Sequence, residues 1–230
     1  MPITAQTALH WSEQGYVPDK VIRHGIRRLL AERLIEIQHD NCSSMADEQY
    51  HFIKNMKDAP VAVVPEKANE QHYEVPATFF DMVLGEHRKY SCCYWTDDTD
   101  SLDTAEANAL EETCQHAKLE DGQNILELGC GWGSLTLYMA KSFPKSKIVG
   151  VSNSATQREY ILGEAKKRGL NNVSIITADM NDFSQSEQFD RVVSVEMFEH
   201  MRNYQKLLEK VAGFMKKDGK LFVHIFTHRE

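Results

Sequence analysis

From residue 101 onward, short apolar segments alternate regularly with longer amphipathic ones. The longer segments repeat their apolar residues at helical spacing, whereas the short segments are nearly all apolar, as strands buried on both faces are. This alternation predicts an α/β fold, a Rossmann-like doubly wound and mostly parallel sheet over residues 101–230. The predicted strands are NILELG, KIVGVS, NVSIITAD, FDRVVSVE and KLFVHIF, and the helices are SLDTAEANALEETCQHAKL, SLTLYMAKSF, ATQREYILGEAKKRG and YQKLLEKVAGFMKKDG.

The first hundred residues follow a different pattern. Apolar residues recur at helical spacing between residues 19 and 57, and Pro60 and Pro65 then bracket a short extended piece. We interpret residues 1–68 as an N-terminal helical extension. Residues 69–100 are dense in aromatic and polar side chains, which favours an ordered lead-in segment lying over the site of the domain that follows.

Composition and charge narrow the class of protein. The formal net charge is −8 and the basic residues are scattered, which argues against nucleic-acid binding because that needs a basic face. We find no secretory signal and no apolar run long enough to span a bilayer, and we expect a cytoplasmic protein with no integral membrane segment. Peripheral membrane contact is less strongly excluded.

The cysteines indicate free thiols in a reducing compartment. There are five, an odd number, without paired metal-ligand spacing, and two of them are adjacent in the sequence. We therefore predict no metal site. They are Cys42, Cys92, Cys93, Cys114 and Cys130.

Three glycines follow the first predicted strand in the segment ELGCGWG. Ligands of an open parallel sheet bind beyond the carboxyl ends of the strands, and Gly129 and Gly131 would let the backbone turn tightly and approach one. The spacing G-x-G-x-G differs from the G-x-G-x-x-G of dinucleotide sites, and Glu127 would repel a pyrophosphate but suit a cationic ligand. This favours S-adenosylmethionine, a sulfonium compound. The alternative is that the glycines only form a tight turn between strand and helix.

Polar side chains also follow the second and third predicted strands. Asn153 and Gln157 can donate and accept hydrogen bonds and so could hold a ribose, or they could simply open a helix. Asp179 can accept a hydrogen bond from an adenine amino group, and Met180 can pack on the ring. The alternative for Asp179 and Met180 is an exposed turn.

Ionisable side chains follow the fourth predicted strand in VEMFEHM: Glu196, Glu199 and His200. Charged groups near a core are costly unless they are paired or used. His200 is a candidate general base, since imidazole exchanges protons near neutral pH. Alternatively, these acids merely stabilise the start of a helix through its dipole, with His200 on the surface.

These segments resemble a known family. NILELGCGWGSLTLYMA, GVSNSATQ, ITADMNDF and SVEMFEHM are similar to S-adenosylmethionine-dependent methyltransferases related to cyclopropane fatty acid synthase. The likeness is closer to the coclaurine N-methyltransferase branch. QHYEVPATFF and KYSCCYW resemble the lead-in segment of that family, so the likeness covers about residues 70–230.

The resemblance implies a class I methyltransferase that binds S-adenosylmethionine and methylates a small amine, possible acceptors being of the isoquinoline type. An amine must be neutral to attack the methyl group, so His200 would act as the base, and Glu196 and Glu199 would attract and orient the amine. In the lipid-modifying branch, positions like Cys92 and Glu199 help to hold a bicarbonate ion, and Gly usually stands where this chain has Glu196. The implied site residues are Tyr90 and Ser91 closing over the cofactor, Gly129 and Gly131 at its methionine part, Asn153 and Gln157 at the ribose, Asp179 and Met180 at the adenine, and Glu196, Glu199 and His200 in catalysis.

One departure from the family concerns the carboxyl-terminal part. The family's sheet normally has seven strands, and we expect the last two strands and much of the acceptor pocket to be missing here. An unpaired fifth strand would be an exposed edge prone to self-association. Three hypotheses remain open: an amine methyltransferase, a cyclopropane-fatty-acyl-phospholipid synthase-like enzyme acting on lipid, and a truncated cofactor-binding domain without activity.

Overall fold

The computed structural model describes residues 5–37, 42–63 and 77–227, and the chain divides into two compact units, Met1–Lys54 and Asn55–Glu230. The predicted boundary at residue 68, and the start of the predicted lead-in segment, lie outside the described residues. The range 19–57, predicted to be helical, contains two helices on either side of residues 38–41, which are also outside them. The helices of this part of the chain are α1 (Ala5–Glu13), α2 (Asp19–Ile37) and α3 (Cys42–Asp58).

Two helices precede the sheet. The first of them, α4 (Ala77–Val83), belongs to the lead-in segment, and α5 (Leu102–His116) follows that segment. Ser101 caps α5 because its side chain accepts a hydrogen bond from the Thr104 backbone N–H.

The sheet has five strands in the order β3-β2-β1-β4-β5, and every neighbouring pair is parallel. This arrangement confirms the predicted Rossmann-like fold. The strands are β1 (Asn124–Leu128), β2 (Lys147–Ser152), β3 (Val173–Thr177), β4 (Phe189–Val195) and β5 (Met215–His224). Between them lie α6 (Ser134–Ser142), α7 (Ala155–Lys167), a 3₁₀ turn (Phe198–His200) and α8 (Tyr204–Phe214).

Both faces of the sheet are covered, because alternate residues of the strands pack in opposite directions. On one face, Leu126 of β1 belongs to the apolar cluster that includes Leu207 of α8. On the other face, Ile125 of β1 belongs to the cluster that includes Leu110 of α5 and Leu135 of α6. This double burial explains the nearly continuous apolar sequence of the central strands.

The predicted end of the last helix is wrong. We expect helix as far as Gly219, but α8 ends at Phe214, and Met215 already pairs with Phe189 of β4. The register then shifts, and regular pairing resumes where Lys220 lies opposite Arg191. The local apolar pattern continues through the junction, whereas the strand pairing that ends the helix is a contact distant in sequence.

Two further features of the described chain bear on function. Strand β5 lies at one edge of the sheet, so one of its sides is unpaired within residues 77–227. Among the described helices, none has the length and apolar character needed to cross a membrane.

Candidate functional site

The crevice of this sheet lies at the carboxyl ends of β1 and β4. The chain proceeds from β1 outward to β2 and β3, and then crosses to β4 and β5 on the other side. Such a reversal leaves the loops after the two central strands pointing apart and opens a ligand-binding crevice between them. Here the two loops are the glycine-rich turn after Leu128 and the segment that begins with Glu196.

The glycine-rich turn after β1 is held by β2. The backbone N–H groups of Gly129 and Cys130 both donate to the Val151 carbonyl, each at 3.0 Å. All three glycines have positive φ, namely +81° for Gly129, +51° for Gly131 and +81° for Gly133. The positive φ values explain why glycine is needed at these positions.

The three glycines face different surroundings. A Cβ added to Gly129 would lie 2.6 Å from Met197 Cγ, and one on Gly133 would lie 2.6 Å from Ile161 Cγ1. A Cβ on Gly131 would meet no described atom within 4 Å. Gly129 and Gly133 therefore allow close packing, and Gly131 presents backbone to open space.

Glu127 is a buried carboxyl group beside this turn. It points to the α6 face of the sheet, where Thr136 Oγ1 donates to Glu127 Oε2 at 2.5 Å. The side chain is only 3% exposed, and burial raises its pKa to about 7, opposed by the hydrogen bond from Thr136. A cation arriving nearby would stabilise the ionised form and so bind more tightly.

The predicted ribose and adenine residues lie at the ends of β2 and β3. Asn153 is exposed, whereas Gln157 is buried and accepts a hydrogen bond from Ser152 Oγ at 2.6 Å. The Nε2 atom of Gln157 is buried without a hydrogen-bond partner among the described residues. It is therefore a donor that a ligand at this edge could satisfy.

The predicted adenine residues have different surroundings. Asp179 is half-buried, and its Oδ1 accepts the Asn181 backbone N–H at 2.8 Å, which forms a tight turn. The Met180 side chain is buried in the apolar cluster below β1 and β4, and its carbonyl accepts from Lys210 Nζ. Asp179 thus keeps one carboxylate oxygen for a ligand, and Met180 is already packed.

The lead-in segment is organised by Glu106, a side chain of α5 that is completely buried. Its carboxylate accepts the backbone N–H groups of Gly85, His87 and Lys89 at 2.9, 2.8 and 3.1 Å. Sequence reasoning missed this residue. The sequence does contain a sign of it, because Glu106 lies on the apolar face of α5, beside Ala105 and Leu110. A charged group buried on such a face needs hydrogen-bond donors.

Lys89 is the second residue that sequence reasoning missed. It is 5% exposed, and its Nζ donates to Ser91 Oγ at 2.5 Å. Burial lowers the pKa of Lys89, opposed by its electrostatic interactions with Cys92, Cys93 and Glu196 among others. Beside it, the half-exposed ring of Tyr90 packs edge-on against Phe80, with ring centres 5.6 Å apart.

The three predicted catalytic residues have distinct surroundings. Glu196 has a φ of +50°, rare for a residue with a side chain, and its N–H donates to the His224 carbonyl at 2.8 Å. Glu199 accepts the Phe226 N–H on Oε1, and its Oε2 is buried without a partner among the described residues. The His200 side chain is exposed, and the His200 N–H closes the 3₁₀ turn by donating to the Met197 carbonyl.

The fold also brings together side chains that are far apart in sequence. Cys92 Sγ lies 3.8 Å from Glu196 Oε1, and His224 belongs to the same group. This group includes one predicted catalytic residue, Glu196, and links the lead-in segment to the ends of β4 and β5.

Comparisons with known proteins identify the family of this chain. Residues 63–230 match the family described as mycolic acid cyclopropane synthetase. An (S)-coclaurine N-methyltransferase of Thalictrum flavum subsp. glaucum is 40% identical over 224 residues, which cover 94% of this chain and 60% of that protein. The cyclopropane-fatty-acyl-phospholipid synthase of Escherichia coli K12 is 36% identical over 157 residues, which cover 67% of this chain and 39% of that protein.

A solved structure supports the same relationship. The crystal structure of a coclaurine N-methyltransferase bound to N-methylheliamine and SAH has a TM-score of 0.84 and 37% identity over 94% of this chain and 63% of that one. This chain spans about 60% of the length of the coclaurine N-methyltransferases that it matches. The match to the family covers residues 63–230, more than two thirds of the chain. The chain therefore belongs to the mycolic acid cyclopropane synthetase family.

Proposed function

We propose that this protein transfers a methyl group from S-adenosylmethionine to the nitrogen of a small amine, with an acceptor of the isoquinoline type. The likeness to coclaurine N-methyltransferases along 94% of the chain supports this proposal. The observation that carries it is Glu196, a carboxylate at the carboxyl end of β4. Glu196 precedes Met197, whose side chain packs on Gly129 of the glycine-rich turn.

The residues present fit the cofactor. The open side of Gly131 leaves room for the methionine part, and the buried Glu127 carboxyl favours a cationic ligand. S-adenosylmethionine supplies a methyl group on a positively charged sulfur, which leaves with the electron pair of the carbon–sulfur bond. We assign the remaining contacts as the resemblance implies: Tyr90 and Ser91 over the cofactor, Gly129 at the methionine part, Asn153 and Gln157 at the ribose, and Asp179 and Met180 at the adenine.

The other side chains act on the amine. In this proposal Glu196 and Glu199 attract the ammonium form and orient the nitrogen in line with the methyl carbon. His200 takes the proton that the nitrogen must lose, directly or through water, a contribution typically worth about 10²–10⁴ in rate. In this proposal the lead-in segment, which Glu106 orders, lies over the bound cofactor.

Lipid modification is the second candidate. The match to the cyclopropane synthetase family and the E. coli relative support it. Glu196 argues against it, because the lipid-modifying branch that the motifs resemble usually has glycine there. A third candidate is cofactor binding without catalysis.

Incubation with S-adenosylmethionine labelled in its methyl group separates the three candidates. The acceptors are a panel of small isoquinoline amines and, separately, vesicles of unsaturated phospholipid. We expect label in the amines. Label in the lipid alone would support the second candidate, and binding of the donor without transfer to either acceptor would support the third.

A paired substitution tests the role of Glu196. Glu196→Gln should lower kcat for the amine and leave the donor Kd within about twofold, whereas Glu209→Gln, an exposed position on α8, should change neither. Equal loss of donor affinity and turnover in Glu196→Gln would contradict the assigned role.

We also propose a cytoplasmic location. The support is the cysteine chemistry: all five cysteines are free thiols, and Cys42 and Cys92 are exposed. Free exposed thiols are typical of a reducing compartment.

A further inference from the structure

Three potential metal ligands converge at the carboxyl edge of the sheet. The Cys92 thiol, one Glu196 carboxylate oxygen and one ring nitrogen of His224 all lie within 4.8 Å of one another. They come from the lead-in segment, the end of β4 and the end of β5. Spacing along the sequence gives no sign of this group, and it takes no part in the mechanism proposed above except through Glu196.

One of the three separations is close to that of a tetrahedral zinc site. With Zn–S bonds of about 2.3 Å and Zn–N or Zn–O bonds of about 2.0–2.1 Å, neighbouring ligand atoms lie roughly 3.3–3.6 Å apart. The 3.8 Å between Cys92 Sγ and Glu196 Oε1 needs to shrink by only a few tenths of an ångström. The separations from the His224 ring nitrogen are at most 4.8 Å. The side chains must therefore close on a bound ion by up to about 1.5 Å. The set of one thiolate, one imidazole and one carboxylate is one that Zn²⁺ accepts.

The ligands are held by the fold and are accessible. The Glu196 N–H donates to the His224 carbonyl at 2.8 Å, which fixes these two residues against each other. Cys92 is exposed, and Glu196 and His224 are half-buried, so an ion can reach the group from solvent and keep a water in the fourth position. Three protein ligands and an open fourth position are the arrangement of catalytic zinc sites rather than of closed structural ones.

One charge opposes a cation here. Lys89 interacts electrostatically with both Cys92 and Glu196. Its Nζ donates to Ser91 Oγ, so the ammonium group already has a partner of its own. This nearby charge weakens binding of a dication, and its removal should strengthen it.

We propose that Cys92, Glu196 and His224 bind a thiophilic divalent cation, with Zn²⁺ as the type, and that the bound ion blocks the amine at the end of β4. Binding replaces the thiol proton of Cys92 with a sulfur–metal bond, and the proton passes to solvent. The blocking effect rests on the proposed N-methyltransferase function, whereas the binding itself does not.

Titration of the full chain with Co²⁺, in the absence of donor and amine, tests the binding. Cobalt substitutes for zinc in such sites, and a thiolate ligand gives it a strong charge-transfer band in the near ultraviolet. We expect this band to saturate at one ion per chain. Cys92→Ser should abolish it, and His224→Ala and Glu196→Gln should each weaken binding at least tenfold.

Two variants serve as controls. Cys93→Ser changes the adjacent thiol, whose Sγ contacts the Ser91 carbonyl, and it should keep the band. Lys89→Met should bind Co²⁺ more tightly than the wild type. Absence of the band in the wild type, or the same band in Cys92→Ser, would overturn the proposal.

Inhibition is measured separately. Micromolar Zn²⁺ should raise the apparent KM for the amine, and the residual activity of Cys92→Ser should resist the metal. Cobalt binding without zinc inhibition would refute the blocking effect and leave the metal site standing. A chain that binds Co²⁺ at Cys92 but transfers no methyl group would refute the proposed function and not the site.

Discussion

At the scale of single residues, Glu127 has the environment with the clearest consequence for function. Its carboxyl group is enclosed between β1 and α6, and burial raises its pKa to about 7. The unfolded chain ionises this group at lower pH than the folded one does. The folded state therefore binds the extra proton, and stability falls as pH rises from about 4.5 towards 7, with no further loss above that range.

Substitution of Glu127 by Gln should remove this pH-dependent loss. The rise in the pKa of Glu127 from 4.5 to about 7 corresponds to a loss of about 3 kcal/mol in unfolding free energy once the group is ionised. Relative to wild type, the variant should thus gain up to about 3 kcal/mol in unfolding free energy between pH 4 and pH 8, measured by urea denaturation without donor. It should also bind S-adenosylmethionine more weakly at pH 8. A difference in stability that is independent of pH would contradict the buried-carboxyl account.

Gly131 offers a second test at the same scale, because the effect of backbone strain can be separated from the effect of filling the space in front of the glycine. Gly131 and Gly169 both have positive φ, +51° and +69°, and a Cβ on either would meet no described atom within 4 Å. Alanine at either position should cost about 1 kcal/mol of stability. Only Gly131→Ala should also lose at least tenfold in affinity for S-adenosylmethionine, measured by calorimetry. Equal donor affinity in the two variants would show that the open side of Gly131 does not hold the ligand.

At the scale of elements, local pattern predicts most of the domain. The strand KIVGVS and the helix that begins at Ala155 lie where their apolar periods place them, since those periods are properties of neighbouring residues. The predicted end of α8 is wrong because the observed end depends on the pairing of Met215 with Phe189, a residue 26 positions earlier in the sequence. The glycine-rich turn was predictable for the same local reason. The group of Cys92, Glu196 and His224 was not, since only the folded chain brings it together.

The start of α8 gives a prediction at this scale. Asn203 is buried, its Oδ1 caps α8 by accepting the Lys206 N–H, and its Nδ2 donates to the Lys57 and Ala59 carbonyls at 2.8 Å each. Asn203→Ala should lower the unfolding free energy by about 2–4 kcal/mol, from one lost cap and two lost buried hydrogen bonds. Thermal and urea denaturation measure this loss.

The control for that change is Asn171→Ala. Asn171 is exposed in the loop before β3 and donates only to the Gly169 carbonyl among the contacts described for it. We expect it to cost less than about 1 kcal/mol. A similar loss in the two variants would mean that Asn203 does not join α8 to the segment before it.

At the scale of the whole molecule, the two units differ in how they bury apolar surface. In the unit Met1–Lys54, none of the side chains that the structure describes is buried. Leu29, Leu34 and Tyr50 are more than half exposed. The unit Asn55–Glu230 holds the sheet and its apolar clusters. Since burial of apolar surface dominates stability, the second unit carries most of it.

Removal of residues 1–54 should therefore leave a folded protein. We expect residues 55–230 to keep a cooperative thermal transition within about 5 °C of the whole chain and the same affinity for S-adenosylmethionine. Loss of the cooperative transition would show that the first unit contributes to the core of the second.

We propose that the crevice between β1 and β4 binds a cationic methyl donor. Isothermal titration of the whole chain with S-adenosylmethionine at pH 8 measures this binding, and S-adenosylhomocysteine, the product of methyl transfer, whose sulfur is uncharged, serves as comparison. We predict one site per chain with micromolar affinity for the donor, weakened at pH 6 as Glu127 takes up a proton. A folded chain that gives no heat with the donor at millimolar concentration would contradict the account.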